Sequence, residues 1–347
     1  MSEPRLILDP IAISQSWEER RVSRPDASPF THSVFLEGLD ELVPWQRAMI
    51  SWTPNVAQQV FIRKRGPHAE VVVPPFSPHS AIIASAGTGE PGLLAALSHV
   101  GDPLAGLPSD RTFIWDPDLI EMPHGTADAA AERAEASPAS LSFREFDPPS
   151  GFLRRELQTY VLRPAPLDEA VSTWSASTRR TLRQHIDAYL FDEVSSSEAS
   201  SHLNELVDLV QTAYARRNRS LPLPPEGLAS WAGRLLQNGV GRMYILRSPE
   251  TGLTVAGIVV LTGGPRAWYW LSGSVPGPAM TVLIGLVQQR LRDHEIHSFD
   301  LMGANTDGIS EFKRRFGGEP VSYPMWIRQG VMGRMVASMA RFGRRFR

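Results

Sequence analysis

The spacing of apolar residues changes along the chain, and in the first half it predicts alternating strands and helices. Short apolar runs bounded by glycine, proline or polar residues predict strands at residues 56–64, 69–76, 80–85, 111–116 and 140–146. Apolar residues at helical spacing predict helices at residues 35–51, interrupted at Pro44, and at residues 91–99 and 127–136. We therefore expect a mixed α/β structure here.

The pattern is clearer in the second half, above all after residue 241. It predicts strands at residues 157–164, 190–197, 242–248, 253–263, 267–275 and 297–303. It predicts helices at residues 198–216, 280–294 and 308–317. A further helix is predicted at residues 167–189, although the helical pattern is weak in its middle. Three prolines in residues 219–227 indicate an exposed loop.

Length and turn chemistry predict two domains. A chain of 347 residues exceeds the roughly 100–200 residues of one domain, and the turn sequence DPPSG at residues 147–151 is a natural boundary. We therefore expect domains at residues 1–150 and 151–330, followed by a basic amphipathic tail at residues 331–347. The tail interleaves methionine and phenylalanine with arginine, which is typical of a peripheral membrane or RNA contact, and equally of a helix packed on the domain.

Charge and cysteine content exclude several function classes. The net charge of −2 argues against a dedicated nucleic-acid-binding protein. The absence of cysteine excludes disulfides, thiolate zinc sites and a cysteine nucleophile. The N-terminus lacks the order of a signal peptide, and no apolar run approaches the ~18–20 residues that span a bilayer. A cytoplasmic location, or one at the inner membrane surface, is expected.

Lysine is rare in this chain, which makes its positions conspicuous. Of 35 Lys plus Arg residues, only Lys64 and Lys313 are lysines. Lys313 lies in the sequence SEFKRRFGGEP, ahead of Gly317 and Gly318, which fit a helix C-terminus. Phe312 and Phe316 are spaced i, i+4 and predict the buried face of that helix.

The C-terminal motifs resemble those of a known family. The order of elements after residue 241 resembles the GNAT acyltransferase fold. The sequences RAWYWLSGSVPGPA and SFDLMGANTDGISEFKRRFGGEPVSY resemble the C-terminal signature of FemAB-like proteins, which are GNAT relatives that include the peptidoglycan-bridge aminoacyltransferases. In that signature a D-x-x-G element precedes F-K-x-x-F-G-G, and TWSASTRRTLRQH resembles a further family helix upstream. The resemblance implies two GNAT-like domains, of which the N-terminal one is degenerate.

The resemblance implies a catalytic role for Lys313. Asp300, near the end of a predicted strand, is a candidate general base, and Glu311 and Asp307 are alternative acids. A lysine ammonium in a dry site can stabilise a tetrahedral oxyanion, and a carboxylate with a raised pKa can accept a proton from an acceptor amine. Each residue also has a structural interpretation. Lys313 can be a solvated cation near a helix end, and Asp300 can cap the loop that follows it or pair with an arginine. Asp307 is expected to cap the helix of Lys313 or to lie just before it.

The resemblance also implies binding residues. The loop SGSVPGPAM lacks the glycine-rich pyrophosphate sequence of many acyl-CoA-dependent GNAT enzymes, yet its backbone N–H groups can bind phosphate. Arg179, Arg180 and Arg183 lie close together on one predicted helix, where they can bind phosphate or form a solvated basic face. The cofactor-binding candidates are Ser274, Gly277, Ala279, Arg179, Arg180 and Arg183; the substrate-binding candidates are Trp270, Asn305 and Tyr214.

These features together predict an N-acyltransferase. The reaction expected is acyl or aminoacyl transfer from an activated ester or thioester to an amine, in cell-envelope or small-molecule biosynthesis. The donor is acyl-CoA or aminoacyl-tRNA, used as a co-substrate, so no tightly bound cofactor is expected. The acceptor is a small-molecule or glycopeptide amine. No metal is expected, because the histidines show no H-E-x-x-H pattern. The alternative is a non-catalytic binding or scaffold protein that keeps the fold.

Overall fold

The computed structural model describes residues 4–22, 28–66, 68–84, 107–115 and 148–330. The predicted helices at residues 91–99 and 127–136, the strand at residues 140–146 and the tail at residues 331–347 lie outside these ranges. No helix within them is long and apolar enough to cross a membrane.

Strands and helices alternate along the described chain. The strands are β1 (Arg5–Ile7), β2 (Gln46–Thr53), β3 (Val56–Arg65), β4 (His68–Val72), β5 (Ile82–Ala84), β6 (Asp110–Ile114), β7 (Phe152–Leu162), β8 (Leu190–Val194), β9 (Gly241–Arg247), β10 (Thr254–Gly263), β11 (Arg266–Ser274), β12 (Ser298–Asp300) and β13 (Glu319–Arg328). The α-helices are α1 (Pro10–Val22), α2 (Ser33–Leu42), α3 (Leu167–Ala170), α4 (Ala176–His185), α5 (Ala199–Ala215), α6 (Pro225–Gln237), α7 (Ala279–Asp293) and α8 (Asp307–Arg314). Short 3₁₀ turns occupy Pro29–Thr31, Val171–Thr173 and Ile186–Ala188.

The chain forms two compact units, each discontinuous in sequence. As far as the residues are described, the first unit comprises residues 1–24, 43–157 and 322–347, and the second comprises residues 25–42 and 158–321. The predicted domains are continuous segments, whereas here an early helical segment belongs to the second unit.

The first unit is built on a mainly antiparallel sheet. Its strands follow the order β1-β2-β3-β4-β6-β13, β5 also pairs with β3, and only β4 and β6 run parallel within this series. Apolar side chains of β2, β3 and β6, together with Phe152 and Trp326, form its core. Every second residue along these strands faces the core, and this alternation favours the strand conformation.

The second unit holds the D-x-x-G and F-K motifs of the sequence, and its sheet is a six-strand series. The order is β7-β12-β11-β10-β9-β8, in which β11 and β12 are parallel and the other pairs antiparallel. Helix α7 packs its apolar face, including Val282, Leu283 and Val287, into the core on this sheet. Helix α5 packs on β10 and β11, and α6 packs on α5.

Most of the elements predicted after residue 150 are confirmed, but the helix predicted for residues 35–51 is wrong in its second part. The helix ends at Leu42, and β2 begins at Gln46. Pro44 disfavours helical continuation, and Ala48, Ile50 and Trp52 alternate toward the core of the first unit. Helices α1 and α6 and strands β1 and β13 have no counterpart among the predictions.

Candidate functional site

The two parallel strands β11 and β12 diverge to open a wedge within the second unit. Their pairing ends at Trp268 and Asp300. Beyond this point β11 continues to Ser274 along β10. The chain after β12 instead stays beside β7, because Leu301 N donates to Tyr160 O at 2.9 Å and Ala304 N donates to Gln158 O at 2.7 Å. In the described chain, residues 269–274 of β11 therefore have no strand partner on this side. We call this opening the β11–β12 wedge.

A strained turn forms the end of the wedge where the strands part. Met302 and Gly303 have positive φ angles of 54° and 24°. Positive φ is costly for a residue with a side chain such as Met302. Asp300 offsets this cost, since its Oδ1 accepts hydrogen bonds from Met302 N at 2.6 Å and from the hydroxyl of Thr159. The D-x-x-G motif thus builds a turn that its own aspartate caps.

Lys313 reaches into this turn from α8. Its ammonium donates to the carbonyl oxygens of Leu301 and Met302 and, at 3.2 Å, to that of Gly303. An ammonium has three donors, so all three are engaged, and the bond to Gly303 is the longest. The residue is 8% exposed. Lys313 is therefore buried and hydrogen-bonded to the turn, and it is not a solvated cation.

Two neighbours set the electrostatics of Lys313. Its Nζ lies 5.4 Å from the ring centroid of Tyr269, within cation–π range. Burial lowers the pKa of Lys313 to about 8, and the negative charge of Asp300 acts in the opposite direction. The charged form therefore prevails only below about pH 8, within reach of physiological pH.

Aromatic contacts around helix α8 position Lys313 beside the turn. Phe312 and Phe316 contact each other edge to face at 5.1 Å, and Phe316 also contacts Trp174 at 4.9 Å. Gly317 has φ of 69°, and a Cβ there would lie 2.3 Å from the Thr173 carbonyl oxygen. Phe312 is partly buried, Phe316 is buried just after the helix, and Gly317 provides the predicted positive φ beyond the helix end.

Asp307 occupies a different position from the predicted cap. It is the first residue of α8, and Thr306 is the N-cap, without a side-chain capping bond. The carboxylate therefore lies in the first turn, where the helix dipole favours negative charge.

The N-terminus of α7 lies directly after β11. Thr281 N and Val282 N both donate to Pro278 O. Within the described chain, the N–H groups of Gly277, Ala279 and Met280 have no acceptor. Of the predicted loop residues, Gly277 is exposed with φ of 133°, Ser274 ends β11, and Ala279 begins α7. Free N–H groups at a helix N-terminus suit a phosphate.

The predicted arginine cluster has a partly structural role. Arg179 donates to the carbonyl oxygens of Ser172 and Trp174 at 2.9 and 3.0 Å, which secures the turn before α4. Arg180 and Arg183 are exposed on the same helix. Arg179 is thus committed to backbone groups, and the anion-binding role of this cluster stays a prediction.

The predicted substrate contacts are dispersed. Trp270 is 5% exposed and packs between Phe35 and Trp231 in the core. The Oδ1 of Asn305 accepts a hydrogen bond from Gln158 N at 2.8 Å, at the rim of the wedge. Tyr214 is half-buried near the end of α5, and burial raises its pKa. Only Asn305 adjoins the turn of Lys313; the substrate roles stay predictions.

Sequence reasoning missed Tyr269 and Thr159. Tyr269 faces the wedge side of β11, where its hydroxyl donates to the sulfur of Met280 at 3.3 Å, and burial raises its pKa to about 12. The alternation of side chains in residues 268–270 could have identified it, because Tyr269 lies on the opposite face from both tryptophans. Thr159 carries no motif. Among the described residues no cluster of three or more histidines or carboxylates could hold a metal ion.

A family comparison agrees with this geometry. Residues 176–314 match the family model for an acetyltransferase (GNAT) domain. These residues have the fold of a GNAT domain. The matched residues include β11, α7, β12 and the Lys313 turn. No curated protein sequence matches the chain.

Solved structures extend the GNAT likeness to the whole chain. The crystal structure of FemX has a TM-score of 0.59 at 11% identity, over 93% of this chain and 98% of FemX. L-PGS from Bacillus licheniformis has a TM-score of 0.56 at 14% identity, over 100% and 99% of the two chains. A conserved protein of unknown function from Bacteroides thetaiotaomicron has a TM-score of 0.56 at 10% identity, over 93% and 99%. At these identities the likeness concerns the fold, and it confirms the FemAB-like, two-domain GNAT construction predicted from the motifs.

Proposed function

We propose that this GNAT protein is an N-acyltransferase that uses the β11–β12 wedge as its acyl-donor site. The observation that carries the proposal is the unpaired edge of β11 at residues 269–274. An extended chain can hydrogen-bond to such an edge as an added strand would. The edge runs from the Lys313 turn at one end to the free N–H groups of α7 at the other, so one elongated donor can reach both.

We infer acyl-CoA as the donor in preference to aminoacyl-tRNA. The N–H groups of Gly277, Ala279 and Met280 form an anion site at a helix N-terminus, which suits a pyrophosphate. The amide-containing arm of the donor would lie along β11, and its thioester would reach the turn. Arg180 and Arg183 could add contacts to donor phosphates, while Tyr214, Trp270 and Asn305 remain candidates for contacts with the acceptor.

The proposed reaction is direct transfer of the acyl group. The acceptor nitrogen forms a bond to the thioester carbon, giving a tetrahedral oxyanion; the C–S bond then breaks and the thiolate leaves. Lys313 would stabilise the oxyanion by exchanging its longest hydrogen bond, the one to Gly303 O at 3.2 Å. Asp300 is the candidate to accept the amine proton, which finally neutralises the thiolate.

A non-catalytic binding function is the second candidate. It is favoured by the complete engagement of the Lys313 ammonium and by the two donors on Asp300 Oδ1. Both residues would then only shape the turn, and a ligand would bind in the wedge without reaction.

Binding and transfer assays separate the two functions. Acetyl-CoA and a charged aminoacyl-tRNA mixture are tested by thermal shift and filter retention, and any donor that binds is offered to a panel of amines. We expect acetyl-CoA to bind and Lys313→Met to reduce kcat about 10²-fold or more. Lys64→Met, at the chain's other and exposed lysine, is the matched control and should keep full activity. Binding of charged tRNA alone would refute acyl-CoA as donor, and donor binding without any transfer would favour the second function.

A further inference from the structure

Tyr269 contacts both ends of the β11–β12 wedge. It is the first residue of β11 beyond the pairing with β12, which ends at Trp268. The Nζ of Lys313 lies over its ring, 5.4 Å from the centroid, and its hydroxyl donates to the sulfur of Met280 at 3.3 Å. Met280 lies in the first turn of α7, the helix whose N-terminus is proposed to bind the donor pyrophosphate. A single side chain therefore links the lysine turn to the start of α7.

The ring of Tyr269 is held in place by its surroundings. Its centroid lies 6.4 Å from that of Phe299 on β12, and the two ring planes are inclined at 45°. Tyr269 packs against the core of the second unit, and the side chain of Ser272 hydrogen-bonds to its hydroxyl. A tyrosine side chain has only two χ angles, so contacts at its ring and at its hydroxyl fix its orientation. The ring thus presents one face to Lys313.

This ring face adds to the electrostatic stabilisation of the buried ammonium. An aromatic face attracts a cation, and the attraction is stronger where water is excluded. The Asp300 carboxylate on β12 also favours the charged form of Lys313. Tyr160 on β7 is a further phenol near α8, where its hydroxyl lies 3.4 Å from a serine hydroxyl, and Glu311 of α8 is paired with two neighbouring arginines. Among the described residues, Asp300, the three carbonyl oxygens and the Tyr269 ring therefore share the stabilisation of this charge.

In the proposed reaction the ring keeps its contact while a hydrogen bond is exchanged. Lys313 gives up its bond to Gly303 O when it turns to the oxyanion, and its bonds to the other two carbonyl oxygens remain. A cation–π contact extends to about 6 Å from the ring centroid. The contact at 5.4 Å therefore persists when Nζ moves by a fraction of an ångström.

We propose that Tyr269 is a positioning residue for acyl transfer, whose ring holds the Lys313 ammonium charged and directed at the reacting carbonyl, and whose hydroxyl holds the start of α7. The catalytic part rests on the proposed function, whereas the effect of the ring on Lys313 does not. Removal of the ring should disfavour the charged ammonium, so the pKa of Lys313 should fall below its value of about 8. The fall expected for one desolvated cation–π contact is about one pH unit, which is tenfold in the protonation equilibrium.

The rarity of lysine makes this shift directly measurable by NMR. The chain has two lysines, so protein labelled with ¹³C at the lysine ε-carbon gives two signals, and Lys64→Arg assigns that of Lys313. Tyr269→Phe keeps the ring and should leave the titration midpoint of Lys313 unchanged, whereas Tyr269→Leu should lower it by about one unit. Pentafluorophenylalanine at position 269 keeps the shape of phenylalanine but reverses the charge distribution of the ring. It should lower the midpoint as well, which separates the electrostatic effect of the ring from a loss of packing.

Steady-state kinetics test the catalytic part, with a donor and an amine that the wild type accepts. Tyr269→Phe loses only the hydroxyl contacts, so the KM for the donor should rise a few-fold while kcat is kept. In Tyr269→Leu, kcat at pH 8 should fall about fivefold or more, because the charged fraction of Lys313 falls from about one half to about one tenth. The alkaline limb of its pH profile should move about one unit lower.

Tyr189→Leu is the matched control, because Tyr189 is a partly buried tyrosine that packs against the same core. It should change neither the midpoint of Lys313 nor the pH profile of kcat. Equal midpoints in Tyr269→Phe, Tyr269→Leu and the pentafluorophenylalanine variant would overturn the proposal. A lowered midpoint with an unmoved pH profile of kcat would overturn its catalytic part. If the wild type transfers no acyl group but the midpoint falls as expected, the proposed function fails and the role of the ring in holding Lys313 charged stands.

Discussion

Lys313 couples the stability of the protein to pH. Burial lowers its pKa to about 8 from the ordinary 10.5. The unfolded chain therefore binds more protons than the folded one between about pH 8 and pH 10.5, and the free energy of unfolding should rise with pH across this window. The gain contributed by this one group should approach about 3 kcal/mol.

Urea unfolding from pH 7 to pH 10.5 measures this contribution by difference. Lys313→Met removes the titrating group and leaves three carbonyl oxygens without their donor, so the variant should be less stable than wild type and should have no pH-dependent contribution at this position. The variant should lack the rise that wild type shows, while Lys64→Met should retain it. Parallel pH profiles for wild type and Lys313→Met would mean that the carbonyl cage keeps the ammonium charged throughout the window.

Asp300 can be tested for proton transfer separately from its role in the turn. Asp300→Asn preserves an oxygen that can accept from Met302 N and Thr159, so the turn should persist, with a loss of stability of about 1–2 kcal/mol. If the carboxylate accepts the amine proton, kcat should fall about 10²-fold or more. Steady-state kinetics and unfolding curves, measured on the same variant, distinguish proton transfer from a structural role. An unchanged kcat would mean that Asp300 only caps the turn.

The sequence identifies Lys313 and Asp300 as candidates, but it does not predict their contacts. The rarity of lysine and the F-K and D-x-x-G motifs single out Lys313 and Asp300. The convergence of three carbonyl oxygens on one ammonium depends on positive φ at Met302, which no local pattern predicts. Thr159 lies far from both in sequence and is recruited only because β7 pairs with β12.

Helix α8 depends on a glycine end that can be tested directly. Gly317→Ala adds a Cβ 2.3 Å from the Thr173 carbonyl oxygen at a φ of 69°, so it should destabilise the protein by about 2 kcal/mol or more and displace Lys313. The matched control is Gly308→Ala in the first turn of the same helix, where no atom lies within 4 Å and the change should be neutral or stabilising by up to ~1 kcal/mol. Thermal unfolding measures both, and equal melting temperatures would contradict the clash.

Elements are predictable where local periodicity and packing agree. Strands β9 to β11 and helix α7 contribute to the core of the second unit, and their apolar patterns predict their positions in the sequence. Helix α6 escaped prediction because the prolines before it indicate a loop, although Pro225 in fact occupies the first helical position, where its missing N–H costs nothing. Residues 46–51 follow a helix and were assigned to it, since a short apolar run does not distinguish helix from strand.

Whole-chain organisation depends on contacts that span long sequence separations. Residues 25–42 belong to the second unit, as far as they are described, although more than a hundred residues separate them from the rest of it. Phe35 contacts Trp231 and Trp270, and Phe30 contacts Trp268. Turn signals predict a boundary near residue 150, but they carry no information on which core receives an earlier helix.

The second unit should therefore require this early segment to fold. Phe30, Phe35, Leu36 and Leu39 are each 2% exposed or less. Burial of each such side chain contributes about 1.5–3 kcal/mol, and the sum is comparable to the whole stability of a domain, about 5–15 kcal/mol. A fragment of residues 158–321 should lack cooperative unfolding, whereas the same fragment with residues 25–42 joined by a flexible linker should regain it. Circular dichroism during thermal unfolding measures the difference. Replacing Phe30 and Phe35 with alanine in the linked fragment is the control and should abolish the gain; a cooperative transition in the unlinked fragment would show that the aromatic contacts are dispensable.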